Sequence, residues 1–285
     1  MNLFFAVLQY FLPQVWLSRC VGRLADCKIG PIKNLFIGLF VKVYKVDMSE
    51  AAVEDPRQHQ SFNDFFVRAL KPGVRPLCGD AEEIACPADG TMSQIGEIDR
   101  GYIFQAKGKE FTTTALLGGD DYLSQQFLGG RFATIYLAPR DYHRVHMPMD
   151  GQLQIMVHIP GSLFSVNQAT TEWVNQLFAR NERVAAIFDT PAGPMAVVMV
   201  GAMIVAGIET VWEGQVTPYQ KKIRTTEYPV THDEVNLSKG DEMGRFKLGS
   251  TAIVLFGPDM VEWDEDLIAG NQVKMGQRLG RLINV

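Results

Sequence analysis

The chain has 285 residues, of which 47% are hydrophobic and 21% are charged, as is typical of globular proteins. This length allows one large domain or two smaller ones, and the composition excludes a disordered chain, a fibrous repeat and a polytopic membrane protein. A formal net charge of −5 argues against a nucleic-acid-binding protein. The four cysteines show no paired metal-ligand spacing and suit a reducing compartment.

The charge is distributed unevenly along the chain. Residues 1–46 contain six basic side chains and one acidic side chain, a net charge of +5, so the remaining residues carry a net charge of −10. A basic, apolar front end joined to an acidic body is typical of a protein that contacts a negatively charged surface. We expect that surface to be the anionic inner leaflet of a membrane.

The front end is predicted to form helices that lie on the membrane. Residues 1–17 are too short and too interrupted by polar residues to span a bilayer, and no basic residue precedes them as in a secretory signal. Two apolar stripes are predicted: Leu17, Val21 and Leu24 on a first helix, and Phe36, Leu39, Phe40 and Val43 on a second. On the second helix Lys42 and Lys45 point away from the stripe, a pattern typical of a helix in a headgroup layer. The alternative is that both stripes dock on the acidic body.

A further helix is predicted to start at Ser61, which has the residue type of an N-cap and is followed by an acidic partner at Asp64. The sequence 71–73, Lys-Pro-Gly, is predicted to end it. We therefore place a domain boundary after this segment. Residues 1–77 form a helical membrane-associating region, and residues 78–285 form the body.

The body is predicted to be rich in β-strands, because short apolar runs with β-branched residues alternate with glycine turns. Strands are predicted at residues 95–98, 101–105, 132–138, 153–158, 195–200, 203–205 and 252–256. One helix is predicted at 171–180, with Trp173, Leu177 and Phe178 facing inward. The expected fold class is α+β, in which front helices precede a compact, mostly antiparallel β domain.

Three segments place polar groups in otherwise apolar sequence: the Pro-Ala-Asp-Gly around Asp89, residues 138–148 with His143 and His146, and residues 244–251 with Ser250. A histidine titrates near neutral pH, so a general base is expected in the second segment. One alternative is a metal-dependent hydrolase that uses His143, His146 and Asp89, although an extended chain would point the two rings to opposite sides. Another is a non-catalytic, membrane-tethered β module in which Ser250 is an inert turn residue.

The sequence Leu-Gly-Ser-Thr at 248–251 resembles the self-cleavage signature of the phosphatidylserine decarboxylase family. Other segments resemble the same family in the same order along the chain: residues 63–76, 87–90, 142–146, 160–167 and 177–183. The chain is therefore identified as a member of this bacterial, membrane-associated, pyruvoyl-dependent family. The matches extend over most of the chain beyond the first 30 residues.

The resemblance implies that the chain is an inactive proenzyme that cuts itself between Gly249 and Ser250. The products would be a β chain, residues 1–249, and an α chain, residues 250–285, held together as a heterodimer. Ser250 is expected to attack the Gly249 carbonyl, with His146 as the base and Asp89 orienting its ring. Ser250 would then become a pyruvoyl group, which forms a Schiff base with the amine of phosphatidylserine and yields phosphatidylethanolamine after loss of carbon dioxide.

The remaining expectations concern supporting residues and location. By resemblance, His143 contacts the substrate or helps the decarboxylation step, and Leu248 and Thr251 support the cleavage loop. No metal and no nucleic acid are expected as partners, and assembly into a homo-oligomer is left open. Because the substrate is an anionic lipid, the enzyme is expected to be peripheral, on the cytoplasmic face of the bacterial cell membrane.

Overall fold

The computed structural model describes Gln9 and residues 14–203, 207–217, 221–228, 234–247 and 250–283. Leu248, Gly249 and positions 204 and 205 of the predicted strand 203–205 lie outside the described residues.

The front end is helical, as predicted. Helix α1 spans Gln14–Ala25 and α2 spans Gly30–Tyr44, followed by a 3₁₀ turn at Pro56–Gln58 and by α3 at Phe62–Phe66. Ser61 is the N-cap of α3, and its side chain accepts a hydrogen bond from the Asp64 N–H, which confirms the predicted start. The helix ends at Phe66, well before the predicted stop at residues 71–73, because the chain leaves the helical conformation at Val67.

The predicted stripe on α2 divides between two surfaces. Phe36 and Phe40 pack on Phe62, with the Phe36 and Phe62 ring centroids 4.3 Å apart, in a small apolar cluster with Ile37, Phe65 and Phe66. On the other side of the helix Ile32, Leu35, Leu39 and Val43 are exposed. The helix is therefore apolar on two faces, and a simple amphipathic pattern is not confirmed. On α1 Val21 packs against the same cluster and Leu24 is exposed, whereas the side chain of Leu17 lies outside the described part.

The body consists of β-strands with short helices between them. The strands are β1 (Glu83–Ala85), β2 (Gly90–Glu97), β3 (Tyr102–Ala106), β4 (Lys109–Thr112), β5 (Arg131–Leu137), β6 (Arg144–His146), β7 (Gly151–Ile159), β8 (Arg183–Thr190), β9 (Gly193–Gly201), β10 (Gly207–Thr210), β11 (Gly214–Gln215), β12 (Arg224–Glu227), β13 (Asn236–Leu237), β14 (Glu242–Lys247), β15 (Ser250–Phe256), β16 (Val261–Trp263), β17 (Gln272–Val273) and β18 (Arg278–Leu282). The helices are α4 (Thr113–Leu116), α5 (Asp121–Gln125), α6 (Gln168–Trp173) and α7 (Leu177–Arg180). The mostly antiparallel β body and the preceding helices confirm the predicted fold class.

The largest sheet is antiparallel, with the order β12-β7-β8-β9-β15-β5-β2-β17 and with β13 also paired to β7. One of its faces packs on a smaller sheet of order β11-β10-β14-β6, which contributes Ile208 and Phe246 to the core between the sheets. The other face is covered by the β3-β4 hairpin and short helices, through residues such as Ile103, Phe111 and Phe178. Both faces of the central strands are thus buried, which explains why β9 and β15 are almost wholly apolar.

The single helix predicted at 171–180 is wrong, because the chain forms α6 and α7 with a break between them. Val174 is extended and Gln176 has a positive φ of 54°. The buried Gln105 satisfies the interrupted backbone: its side-chain amide donates to the carbonyls of Thr171 and Val174 and accepts from the N–H of Leu177. Leu177 and Phe178 face inward as predicted, whereas Trp173 is 46% exposed.

Candidate active site

Ser250 is the first residue of β15, at the point where the chain passes from the smaller sheet into the centre of the larger one. It pairs with Leu137 of β5 on one side and with Gly201 of β9 on the other, and it is fully buried. Because side chains alternate along a strand, Ser250 faces the same side as Ala252, which belongs to the core between the two sheets. Gly201 has no side chain, so nothing projects beside Ser250 from β9.

His143 lies next to Ser250. Its Nε2–H donates to the carbonyl of Ala138 at 3.0 Å, so in the neutral ring the Nδ1 lone pair is an acceptor and lies 3.5 Å from Ser250 Oγ. Phe66 stacks on the imidazole, with the ring centroids 4.0 Å apart. Complete burial lowers the pKa of His143 to about 3, and the nearby charge of Arg68 acts in the same direction. His143 is therefore neutral at physiological pH.

His146, the expected base, has other partners in this structure. Its Nδ1–H donates to the carbonyl of Gly240 at 2.8 Å, and its Nε2 accepts from the hydroxyl of Tyr142 at 3.0 Å. Burial lowers the pKa of His146, while the hydrogen bond to Gly240 and the charges of Glu242 and Asp89 act against that shift. The two carboxylates thus favour the protonated ring.

Asp89, the expected orienting residue, is buried in an ion-pair network. Arg75 Nε and Nη2 donate to its carboxylate at 2.9 and 2.6 Å, and the Met275 N–H donates at 2.9 Å, while Lys274 Nζ lies 3.4 Å away. Burial raises the pKa of Asp89, but the bonds from Arg75 and Met275 outweigh it, so the pKa lies below its ordinary value. Arg75 also binds Glu50 of the front region, so its pair with Asp89 ties that region to the body.

Among the described site residues that are distant in sequence, the structure brings Ser250 and His143 together. Ser250 contacts His143, whereas within the described residues neither His146 nor Asp89 is hydrogen-bonded to Ser250 or to the other. The expected hydrogen bond between Asp89 and His146 is replaced by the Arg75 pair on one side and by the Gly240 bond on the other. Thr251 is fully buried beside Ser250.

A comparison with protein families identifies the chain. The model of the family described as phosphatidylserine decarboxylase matches residues 62–281, which include Asp89, both histidines and Ser250. The chain belongs to the phosphatidylserine decarboxylase family. A second family model, described as PSD, matches residues 4–45, the region of the front helices.

Curated members of this family are similar to the chain over nearly its whole length. The phosphatidylserine decarboxylase proenzyme of Ectopseudomonas mendocina (strain ymp) is 58% identical over 277 residues, which cover 97% of both chains. The proenzyme of Pseudomonas putida (strain F1) is 58% identical, with 96% of both chains covered. The proenzyme of Pseudomonas fluorescens (strain Pf-5) is 57% identical, with 97% of this chain and 96% of its own length covered.

The metal-dependent alternative gains no support from the geometry. In the part of the chain that the structure describes, no group of three or more His, Cys, Asp and Glu side chains is arranged to hold a metal ion. The partners of His143, His146 and Asp89 are instead backbone groups, two side-chain hydroxyls and cations. Family membership likewise leaves no support for the non-catalytic module.

Two residues at the site were not expected from the sequence. Phe66 was given no role at the site, yet it covers the imidazole of His143. Arg68 lies in the same segment, and its guanidinium donates to the carbonyls of Arg140 and Asp141, just before His143. The signal was present only in the resemblance of residues 63–76 to the family, because local periodicity does not show which side chains meet a distant loop.

Proposed function

We propose that the chain is a proenzyme of phosphatidylserine decarboxylation and that Ser250 is the source of its pyruvoyl group. The placement of Ser250 supports this proposal most strongly: it is fully buried as the first residue of the central strand β15 and contacts His143. The residue also lies within the region that the family model matches, which covers most of the chain. The product would be phosphatidylethanolamine.

In the proposed cleavage, Ser250 Oγ attacks the carbonyl carbon of Gly249, and the peptide nitrogen leaves with a proton. The resulting ester then eliminates, so that a carboxylate stays on Gly249. Residue 250 takes up water, releases ammonia and is left with a ketone. We assign the base to His146, with Asp89 favouring its protonated form through its charge. To reach Ser250, His146 must exchange its present bonds to Tyr142 and Gly240.

His143 is the weaker candidate for this base, although it is closer. A pKa of about 3 means that the ring resists protonation at neutral pH, and 3.5 Å is the outer limit of a hydrogen bond. Its neutral state suits a different role, in which it holds reacting groups beside residue 250 during decarboxylation. Leu248 and Thr251 flank the cleaved bond, and we propose that they support its geometry.

The surroundings of residue 250 fit a pyruvoyl group. When formed, this group supplies a carbonyl that condenses with the substrate amine and accepts electrons as carbon dioxide leaves. Complete burial of Ser250 limits the access of bulk water to that chemistry, and Gly201 places no side chain beside it.

The proposed α and β chains would stay together after cleavage. Strand β15, which begins at Ser250, pairs along its length with β5 and β9, and it would be a central strand held by two strands of the other chain. Strands β17 and β18 of the same fragment pair with β2 and β1. The proposed heterodimer is thus supported by the sheet itself.

The front helices supply a surface suited to a membrane. Leu35 is 74% exposed, and Ile32, Leu39 and Val43 extend its apolar stripe along α2. None of the described helices is long and apolar enough to cross a bilayer. We propose that this stripe and the basic residues of the front region hold the enzyme on the cytoplasmic face of the bacterial cell membrane.

Denaturing mass spectrometry of the purified protein tests the proposal. Wild-type protein should separate into fragments 1–249 and 250–285, with the smaller fragment carrying a ketone instead of an α-amine, and should decarboxylate phosphatidylserine. Ser250→Ala should remain a single 31.8-kDa chain without activity. Ser93→Ala, a matched serine change in β2, should behave as wild type. Cleavage and activity in Ser250→Ala would refute the proposal, and so would an intact, unmodified wild-type chain.

A further inference from the structure

Arg68 is a buried cation whose hydrogen-bonding capacity is only partly used. The side chain is 4% exposed. Its Nη2 donates to the carbonyls of Arg140 and Asp141 at 3.2 and 3.4 Å. Nε and Nη1 are buried and have no hydrogen-bond partner in the described structure, and no carboxylate there forms an ion pair with Arg68.

Such an arrangement is costly unless an anion binds there. A guanidinium has five donors in a rigid fork that matches the oxygens of a carboxylate or a phosphate. Burial lowers the pKa of Arg68, and the charges of Asp89, Glu50 and Asp141 only oppose this effect from a distance. Buried donors that lack a partner cost free energy, so an arginine held in this way is poised to receive an anionic ligand.

The position of Arg68 places this capacity at the reaction centre. Two residues earlier, Phe66 stacks on His143, which contacts Ser250. The backbone carbonyls that hold Arg68 belong to the loop leading to His143, and the charge of Arg68 contributes to the lowered pKa of that histidine. The guanidinium carbon also lies 5.6 Å from the centroid of the Phe65 ring.

The same position lies between the front region and the body. Phe65 and Phe66 belong to the apolar cluster that includes Ile37 of α2, whose opposite face carries the exposed apolar stripe. We expect a lipid headgroup to enter between the front helices and the body, where Arg68 lies. Because Arg68 is buried in the precursor, the segment that carries it must open for the substrate to enter.

We propose that Arg68 is a substrate-binding residue that holds the phosphodiester of the headgroup through Nε and Nη1. This inference rests on the proposed function. The substrate carries two anionic groups, and the chemistry favours the phosphodiester: it keeps its charge throughout, whereas the carboxylate loses its charge as carbon dioxide leaves. A cation bound to the carboxylate would stabilise the ground state more than the transition state and would slow the reaction.

Variants of Arg68 in the processed enzyme test this assignment. Arg68→Gln should be cleaved normally, and its KM for phosphatidylserine in detergent micelles should rise about 10- to 150-fold with kcat little changed, as expected for loss of a charge-assisted hydrogen bond of about 1.5–3 kcal/mol. Arg68→Lys should recover part of the loss. Arg131→Gln is the matched control, because Arg131 pairs with Glu97 at the opposite end of β5 from Leu137.

Two further measurements identify the bound group. With an analogue that links serine to the diacylglycerol without a phosphate, wild type and Arg68→Gln should have equal KM values. Soluble glycerophosphoethanolamine should inhibit the wild type competitively and the variant at least 10-fold less. Inhibition by inorganic phosphate of equal strength would overturn the headgroup assignment in favour of a site for free phosphate.

Other results would overturn the inference in recognisable ways. If circular dichroism shows that Arg68→Gln is folded but the variant does not cleave, Arg68 acts in the cleavage step. An equal loss with the phosphate-free analogue would indicate carboxylate binding or a structural role. If Arg68→Gln does not fold, equal wild-type KM values for phosphatidylserine and the phosphate-free analogue would overturn the assignment. An unchanged KM in Arg68→Gln would refute only this inference, whereas a wild-type chain that neither cleaves nor decarboxylates would refute the proposed function.

Discussion

The two histidines near the candidate site are expected to act in different steps, because their environments differ. Burial lowers the pKa of His143 to about 3. A pH of 7 lies about four units above this pKa. Each unit corresponds to about 1.4 kcal/mol, so protonating the ring at pH 7 costs roughly 5 kcal/mol. For His146 the charges of Glu242 and Asp89 act against the effect of burial. Basicity therefore favours His146 for cleavage, although His143 is the ring that contacts Ser250.

The perturbation is to replace each histidine by alanine and to follow cleavage after synthesis. His146→Ala should slow the appearance of fragment 250–285 by about 100- to 10,000-fold, the usual contribution of a general base. His143→Ala should still be cleaved but should lose decarboxylation. His59→Ala controls for the loss of another buried imidazole. The time course is measured by denaturing gel and mass spectrometry.

The pH dependence of cleavage gives a second readout. The base acts in its neutral form, and the pKa of His146 is lowered, so the wild-type rate should begin to fall at a lower pH than expected for an ordinary imidazole. Unfolding temperatures measured in the Ser250→Ala background separate loss of the base from loss of the fold. The assignment is refuted if folded His143→Ala stays uncut while His146→Ala cleaves at the wild-type rate, since proximity would then outweigh basicity.

The remaining predictions concern stability and membrane contact. In the Ser250→Ala background, Asp89→Asn should cost about 1.5–3 kcal/mol at pH 7, because Arg75 loses a charged hydrogen-bond partner but keeps Glu50. Because the folded-state pKa of Asp89 is lowered, this contribution to stability is present above about pH 4 and is lost as the pH falls further. The thermal unfolding curves of the proteins with and without Asp89→Asn should therefore converge at low pH. Equal unfolding temperatures at pH 7 would contradict the prediction. The double change Leu35→Glu and Leu39→Glu should reduce sedimentation with anionic vesicles at least tenfold. Ile268→Glu, which changes an exposed apolar residue of the body, should not reduce it. An equal reduction by both variants would exclude α2 as the contact surface.

Local patterns were sufficient for much of the architecture. The N-cap at Ser61 was predicted from its side chain and Asp64, and the strands containing residues 132–137, 195–200 and 252–256 from uninterrupted apolar runs. These features depend on the preferences of neighbouring residues, which one stretch of sequence contains. The resemblance around Ser250 likewise indicated the family, because its motif is a short continuous segment.

Contacts between distant segments decided the rest. The side chain of Gln105 donates hydrogen bonds to backbone carbonyls at the break in the helix predicted at 171–180. Phe62 packs on Phe36 and so buries one face of α2. In the same way the packing of residues 62–68 on the loop before His143 places Arg68 at the site and lowers the pKa of that histidine. Burial and charge at such places depend on which remote segments meet, and a pattern of neighbouring residues does not contain that information. The sequence by itself determined the elements and the reactive serine, and the tertiary structure decided which side chains surround it.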